Sequence, residues 1–298
     1  QKEKRKKNRL DQGQIVKSKI NTWTVAEILG SGGFGYVYKV NGEKEAEIYA
    51  MKTEFIDPKQ RKSTDRLKIE MTIFAEFNQT DLDKTKHFLK MVDKGQSESF
   101  KWIVMTLVSH SLDVLRRDYL DTMTLVFISL QTLTAIEQLH DVGYLHRDIK
   151  PHNFAIGVPP KDTTIFMIDF GIARRFVDRD GKLRIPRQSV RFLGTVRFAS
   201  RSCHNEKEQS RKDDLESWVY MILDLFSPEN LTWRRVTDRS KVAIYKHQLI
   251  TRQDGKDIEG PKEMYKIIAY VNELGYADVP NYEKIRDFLM EGAKEEKV

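Results

Sequence analysis

Apolar residues recur in two rhythms along this chain: short β-like runs in the first third and helix-like stripes after it. Trp23-Thr24-Val25 and Tyr36-Val37-Tyr38-Lys39-Val40 are aromatic and β-branched and flank a glycine-rich stretch, which predicts a hairpin. Glu47-Ile48-Tyr49-Ala50-Met51-Lys52 predicts a third strand and Trp102-Ile103-Val104-Met105 another. Between them Leu67, Met71 and Phe74 fall at i, i+4 and i+7, the stripe of a half-buried helix. Glu70 sits on that inward face, whereas Glu76 lies about 120° away around a 3.6-residue repeat. Further on, Leu125, Ser129, Leu133, Ile136 and Leu139 mark a long core helix over Thr124 to His140. The longest apolar stretch, Trp218 to Phe226, is too short to cross a bilayer and contains Asp224, so it predicts a buried helix and no membrane span. The pattern is that of an α+β chain: a small antiparallel sheet lobe with one key helix, then a larger, mainly helical lobe. The expected division is 1–21 as a basic, disordered extension, 22–105 as the sheet lobe, 106–109 as a hinge, 110–290 as the helical lobe and 291–298 as a charged tail.

Three motifs change the picture from architecture to chemistry. Leu145-His146-Arg147-Asp148-Ile149-Lys150-Pro151-His152-Asn153 fits H-R-D-x-x-x-x-N, and Asp169-Phe170-Gly171 begins sixteen positions after its end. Upstream, Gly30-Ser31-Gly32-Gly33-Phe34-Gly35-Tyr36-Val37 fits G-x-G-x-x-G-x-V. Glycines that bind a dinucleotide open a helix; here a strand follows them, as in a hairpin lid over a triphosphate. Any one of the acids alone reads as a loop residue or helix cap. Taken in this order, the set resembles the loops of protein kinases. Phosphoryl transfer asks for an acceptor hydroxyl held in line and for neutralised phosphate oxygens. Asp148 then accepts the hydroxyl proton, Lys150 reaches the γ-phosphate side, and the Asn153 amide oxygen and Asp169 carboxylate offer hard ligands to Mg²⁺. Lys52 pairs the α- and β-phosphates, with Glu70 as its helical partner.

Charge refines this. Of the formal +7, +5 lies within residues 1–10, so a strongly basic face is local. That run offers no stacking motif, and nucleic acid is not the expected partner. A second cluster, Arg174, Arg175, Arg179, Lys182, Arg184, Arg187, Arg191, Arg197 and Arg201, follows Asp169 and is suited to acidic or phosphorylated peptides. The one cysteine, Cys203, cannot form an internal disulfide, which fits a reducing cytoplasmic or nuclear compartment.

More specific strings narrow the resemblance. Ala199-Ser200-Arg201 stands where A-P-E is usual, within Gly194-Thr195-Val196-Arg197-Phe198-Ala199-Ser200, and Ser210-Arg211-Lys212-Asp213-Asp214-Leu215-Glu216-Ser217 follows. Both resemble the casein kinase 1 group. Asn153-Phe154-Ala155-Ile156-Gly157, Pro186-Arg187 and Leu231-Thr232-Trp233-Arg234-Arg235 are similar to its tau-tubulin kinase branch. The resemblance implies a bilobal protein kinase fold and an active ATP- and Mg²⁺-dependent serine/threonine kinase, expected as a monomer, with acidic or pre-phosphorylated protein substrates. It implies Thr195 against Asp148 and Lys150, Asp214 as the tether of the catalytic loop, and Arg197 with Lys241 as an anion pocket. It also implies an ATP site of Leu29, Gly30, Ser31, Gly32, Gly33, Phe34, Gly35, Val37, Ala50, Lys52, Glu70, Met105, Thr106, Leu107, Val108 and Ala155. Ala155 replaces a common Leu, His152 a usual Asp or Ser, and Ser200-Arg201-Ser202 the group's S-I-N. The opposing expectation, a pseudokinase holding acidic partners, conflicts with the presence of Lys52, Glu70, Asp148, Asn153 and Asp169 together.

Overall fold

The computed structural model describes residues 9–32, 35–43, 48–56, 65–115, 120–252 and 257–295. The chain divides into two compact units. One holds the described residues up to Ser109 together with Gly157–Asp162 and Ile168–Gly171; the other holds His110–Ile156, Thr163–Met167 and the described residues from Ile172 on.

The first unit is a curled antiparallel sheet with one helix. Its strands are β1 (Ile15–Lys17), β2 (Thr22–Ser31), β3 (Tyr36–Gly42), β4 (Ile48–Phe55), β5 (Met91–Gln96) and β6 (Phe100–Thr106), in the order β1-β2-β3-β4-β6-β5. The helix α1 (Arg66–Phe77) follows β4. Trp23, Val25, Tyr38, Val40, Tyr49, Met51, Trp102 and Val104 alternate along four of the strands and pack into one buried cluster. The Trp23 indole N–H reaches from β2 to Asp93 Oδ2 on β5 at 2.6 Å, although three strands of the sheet order lie between them. The start of α1 is held by Glu54 of β4, whose carboxylate accepts from Leu67 N at 2.9 Å and Arg66 N at 3.3 Å. Those N–H groups have no partner inside the helix, and a carboxylate there also meets the positive end of its dipole.

The disordered extension expected over 1–21 is corrected for residues 9–21. Leu10 and Val16 are buried, the Leu10 N–H donates to Tyr38 Oη at 3.0 Å, and Ile15, Val16 and Lys17 pair with Thr24, Trp23 and Thr22. Both residues join the buried cluster of Trp23, Tyr38 and their neighbours, which ties the segment to the sheet. Residues 1–8 lie outside the described residues.

After β7 (Val108–Ser111), the second unit is built on α2 (Thr122–Asp141). Asp121 caps it, accepting from Thr124 N at 2.6 Å, and Leu125, Ser129, Leu133, Ile136 and Leu139 are all buried. Short strands β8 (Tyr144–Leu145), β9 (Phe154–Gly157), β10 (Ile165–Met167) and β11 (Arg174–Arg175) pair as β9 with β10 and β8 with β11. Helices α3 (Arg201–His204), α4 (Arg211–Phe226), α5 (Arg239–Ile250), α6 (Met264–Glu273) and α7 (Tyr282–Glu295) complete it. Trp218 of α4 is fully buried and donates its indole N–H to Thr132 Oγ1 of α2 at 2.9 Å, so the predicted apolar stretch is indeed a core helix. No helix among the described residues is long and apolar enough to cross a membrane. The charged tail expected over 291–298 is corrected for residues 291–295, where α7 runs on to Glu295 with Ile285, Leu289 and Ala293 buried along it; residues 296–298 lie outside the described residues.

Candidate active site

In the first unit, one sheet face carries the candidate nucleotide residues. Val37 is opposite Lys52, and Ala50 is opposite Met105, so these four share the face turned away from the Tyr38–Met51 cluster. Leu29, Gly30 and Ser31 end β2, and the Gly32 N–H closes the hairpin on Gly35 O at 2.9 Å. Gly33 and Phe34 lie outside the described residues. Gly35 admits no side chain, since a Cβ there would lie 1.8 Å from Thr53 O. Met105 is buried, and the Thr106 N–H is taken by Lys90 O at 3.0 Å; Val108 begins β7.

Lys52 sits between two carboxylates of this unit. Its ammonium pairs with Glu70 and donates to Asp169 Oδ1 at 2.8 Å. Burial pulls the lysine down, but the two carboxylates outweigh it and hold its pKa above the usual range, so it is a fixed cation. Glu70 is 2% exposed, and burial pushes its carboxyl up despite Lys52. Glu70 shares the inner face of α1 with Leu67, Ile73, Phe74 and Phe77; the expected stripe member Met71 is only half-buried. Asp169 is held in the left-handed region at φ 64°, where a non-glycine residue is strained. Its neighbour Phe170 fixes it, fully buried with ring centroids 5.7, 5.6 and 5.9 Å from Phe74, Phe77 and Phe88.

In the second unit, Asp148 is the hub of a polar cluster. Its carboxylate accepts from Lys150 Nζ at 2.6 Å, Thr195 Oγ1 at 2.8 Å and Asn153 Nδ2 at 3.3 Å. Lys150 also donates to Thr195 Oγ1 at 3.0 Å. Thr195 therefore touches both partners that the resemblance assigned to it. The loop is held from below by Asp214, 1% exposed, which accepts from His146 N at 2.7 Å and Arg147 N at 2.9 Å and lies 3.0 Å from His140 Nε2. Burial works against its charge, but the His140 and backbone hydrogen bonds hold its pKa below the usual carboxylate value. Asp213, not Asp214, closes the start of α4, accepting from Ser210 N at 2.8 Å. Arg147 adopts φ 67° and donates twice to Ile172 O, at 2.8 and 2.6 Å. Gly194 at φ 106° is required beside it, because a Cβ would fall 2.8 Å from Arg147 O.

Asn153 donates Nδ2 to Asp148 O at 2.8 Å, which turns its amide oxygen to the opposite side. That oxygen in the second unit, and the half-exposed Asp169 carboxylate in the first, are each hard donors of the kind Mg²⁺ takes. Among the described residues no three His, Cys, Asp or Glu side chains form a metal cluster. Ala155 is buried on β9 opposite Phe166, and His152 is an exposed loop residue 3.1 Å from Asp113. Arg197 lies over the Phe198 ring at 5.8 Å with its carbonyl taken by Trp233 Nε1 at 2.9 Å, and Lys241 is exposed on the first turn of α5.

The basic cluster is less open than its sequence suggests. Glu208 accepts both donors of the Arg187 fork and lies 3.4 Å from Arg174, while Arg201 forks onto buried Glu216. Sequence reading missed Glu208 and His140, whose partners lie 21 and more positions away.

The comparisons agree with this geometry. A protein-family model described as the protein kinase domain matches residues 23–291. A Caenorhabditis elegans protein with serine/threonine-protein kinase in its name is 37% identical over 264 residues, 86% of this chain and 78% of that one. Another from the same organism, with casein kinase I in its name, is 31% identical over 259 residues, covering 85% of this chain and 72% of that one. The structure of vaccinia related kinase 3 superposes with a TM-score of 0.82 at 18% identity, covering 98% of this chain and 93% of that one, which shows the shared fold. With the polar cluster of each unit built as described and the family match running nearly end to end, the chain belongs to the protein kinase family, as an ATP-dependent enzyme of its serine/threonine class.

Proposed function

We propose that this chain transfers the γ-phosphate of ATP to serine and threonine hydroxyls of proteins, favouring acidic or already phosphorylated sites in the manner of the casein kinase 1 group and its tau-tubulin kinase branch. The observation that carries it is the Asp148 cluster. A carboxylate fixed by Lys150, Thr195 and Asn153 is oriented to accept the proton of an incoming hydroxyl, and the Lys150 ammonium stands beside it as a counter-charge. In the other unit, charged Lys52 is placed to hold phosphate oxygens, with Glu70 fixing its position. Asn153 and Asp169 would hold Mg²⁺, which when bound neutralises phosphate charge. The buried thiol of Cys203 suits a reducing, cytoplasmic or nuclear setting.

Glu208 supports activity without prior phosphorylation of the segment. Phosphate on such a segment works by gathering arginines. Here a carboxylate does so: burial opposes its charge, but Arg187 and Arg174 hold its pKa below the usual range. The test is transfer of labelled γ-phosphate from Mg-ATP to casein by chain never exposed to an upstream kinase. Transfer is expected; silence until such a kinase is added would refute constitutive activity, and ATP binding with no transfer under either condition would make the chain a scaffold. The acidic preference rests on Arg197 and its basic neighbours. Arg197→Glu is expected to raise KM for acidic peptides about 10-fold, with KM for ATP unchanged; equal loss on acidic and neutral peptides would remove Arg197 from recognition.

A further inference from the structure

Lys246 of α5 has 0% of its surface exposed, and an ammonium is among the costliest groups to take out of water. The structure gives it a built site. Its Nζ donates to Val196 O at 2.8 Å and Ala199 O at 2.5 Å, lies 3.1 Å from His204 Nε2, and faces the rings of Tyr220 and Trp233 at 4.9 and 5.7 Å. Both carbonyls belong to the turn that follows Thr195, the residue bonded to Asp148 and Lys150. The same turn closes on itself through Phe198 N and Ala199 N, both donating to Thr195 O, and Trp233 takes Arg197 O. Three consecutive-region carbonyls are thus pinned by side chains of α5 and of the loop ahead of it, and Ser200, next in line, caps α3.

We propose that Lys246 is a positioning residue for the protein substrate: it fixes the turn Val196–Ala199 beside the acceptor site and aims Arg197 from it, so that it sets both peptide affinity and acidic preference. This rests on the kinase reading above. ATP is not its object, since the turn it holds follows Thr195, which bonds the hydroxyl-accepting carboxylate of Asp148.

The surroundings make the device pH-sensitive. Burial pulls Lys246 down to about 7 against the pull of Glu216 and Cys203. Facing it are His204 of α3, pushed down to about 4 by burial and by Lys246 itself, and Tyr220 and Glu216 of α4, the latter paired with Arg201; Arg239 of its own helix acts on His204. The charged form has three donors for Val196, Ala199 and His204, and the neutral amine has one fewer. Peptide KM therefore rises as pH climbs through about 7, where the ammonium is lost.

The test compares the full chain with Lys246→Met, using acidic and neutral serine peptides free of histidine and phosphate, and ATP hydrolysis to water as a transfer that needs no peptide. Expected in the variant is a rise of about 10-fold in KM for the acidic peptide, less discrimination between the peptides, and ATP hydrolysis and KM for ATP within about 2-fold. Unchanged peptide KM, or hydrolysis falling in step with peptide transfer, overturns the assignment. In the unaltered chain, whose folding is not in question, peptide KM is expected to rise between pH 6 and pH 8.5 while KM for ATP stays level, about the titration near 7. A flat profile, or the same inflection in Lys246→Met, counts against it. An unaltered chain that phosphorylates no peptide at any pH would refute the kinase reading itself, a different outcome from each of these.

Discussion

Asp148→Asn is expected to lower kcat for casein by about 10²–10⁴-fold with little change in KM for ATP. The reason lies in who points at whom. Lys150, Thr195 and Asn153 all donate to this one carboxylate. An amide in its place presents an NH₂ to at least one of these donors and has no basic oxygen to take a proton from the acceptor hydroxyl. Both losses fall on the transfer step, while Lys52 keeps its two carboxylates and the nucleotide contacts of the sheet are untouched. Labelled-phosphate transfer by the two proteins side by side decides the matter, and equal rates would mean that another group is the base.

Removing the tether should cost the fold rather than the chemistry. Asp214→Ala leaves the His146 and Arg147 N–H groups and His140 without their acceptor in a site 1% exposed, for a loss of about 3–5 kcal/mol and a lower urea midpoint. The pH dependence has a definite sign. The folded pKa of Asp214 is depressed, so its contribution is fully present above the unfolded carboxylate value near 3.9 and disappears only as pH falls through the lower folded value. The unaltered chain should therefore hold this advantage at every pH from about 5 upward and lose it in strong acid. A stability difference between the two proteins that shrinks near neutrality would contradict the assignment.

How much of this was legible in the sequence follows from how far apart partners lie. Asp148, Lys150 and Asn153 fall within six residues, and their chemistry can be read from spacing alone. Glu70 was legible because an acid on an apolar helix face is an anomaly that needs a buried partner. The stripe around it was drawn too narrowly: Ile73 and Phe77 are buried and Met71 only half, since the helix packs on both the sheet and Phe170. β1 was hidden because Leu10 stands alone between Arg9 and Asp11 and Val16 has only the exposed Ile15 beside it, and their burial depends on Tyr38 and Trp23 across the sheet. The end of α7 did carry a signal, Ile285, Leu289 and Ala293 four apart, masked by the charges between them. Glu208, His140 and Lys246 could not be read in this way. Each looks like an ordinary polar residue until the fold brings up a partner from 21, 74 or 50 positions away.

Glu208 also bears on how the enzyme is controlled. The clasp between Arg174 and Arg187 is a carboxylate encoded in the chain, not a phosphate ester placed there by another enzyme. It holds no bond that a phosphatase could cleave. A signal acting through this clasp has nothing to write and nothing to erase, so a phosphate switch has no purchase at this contact.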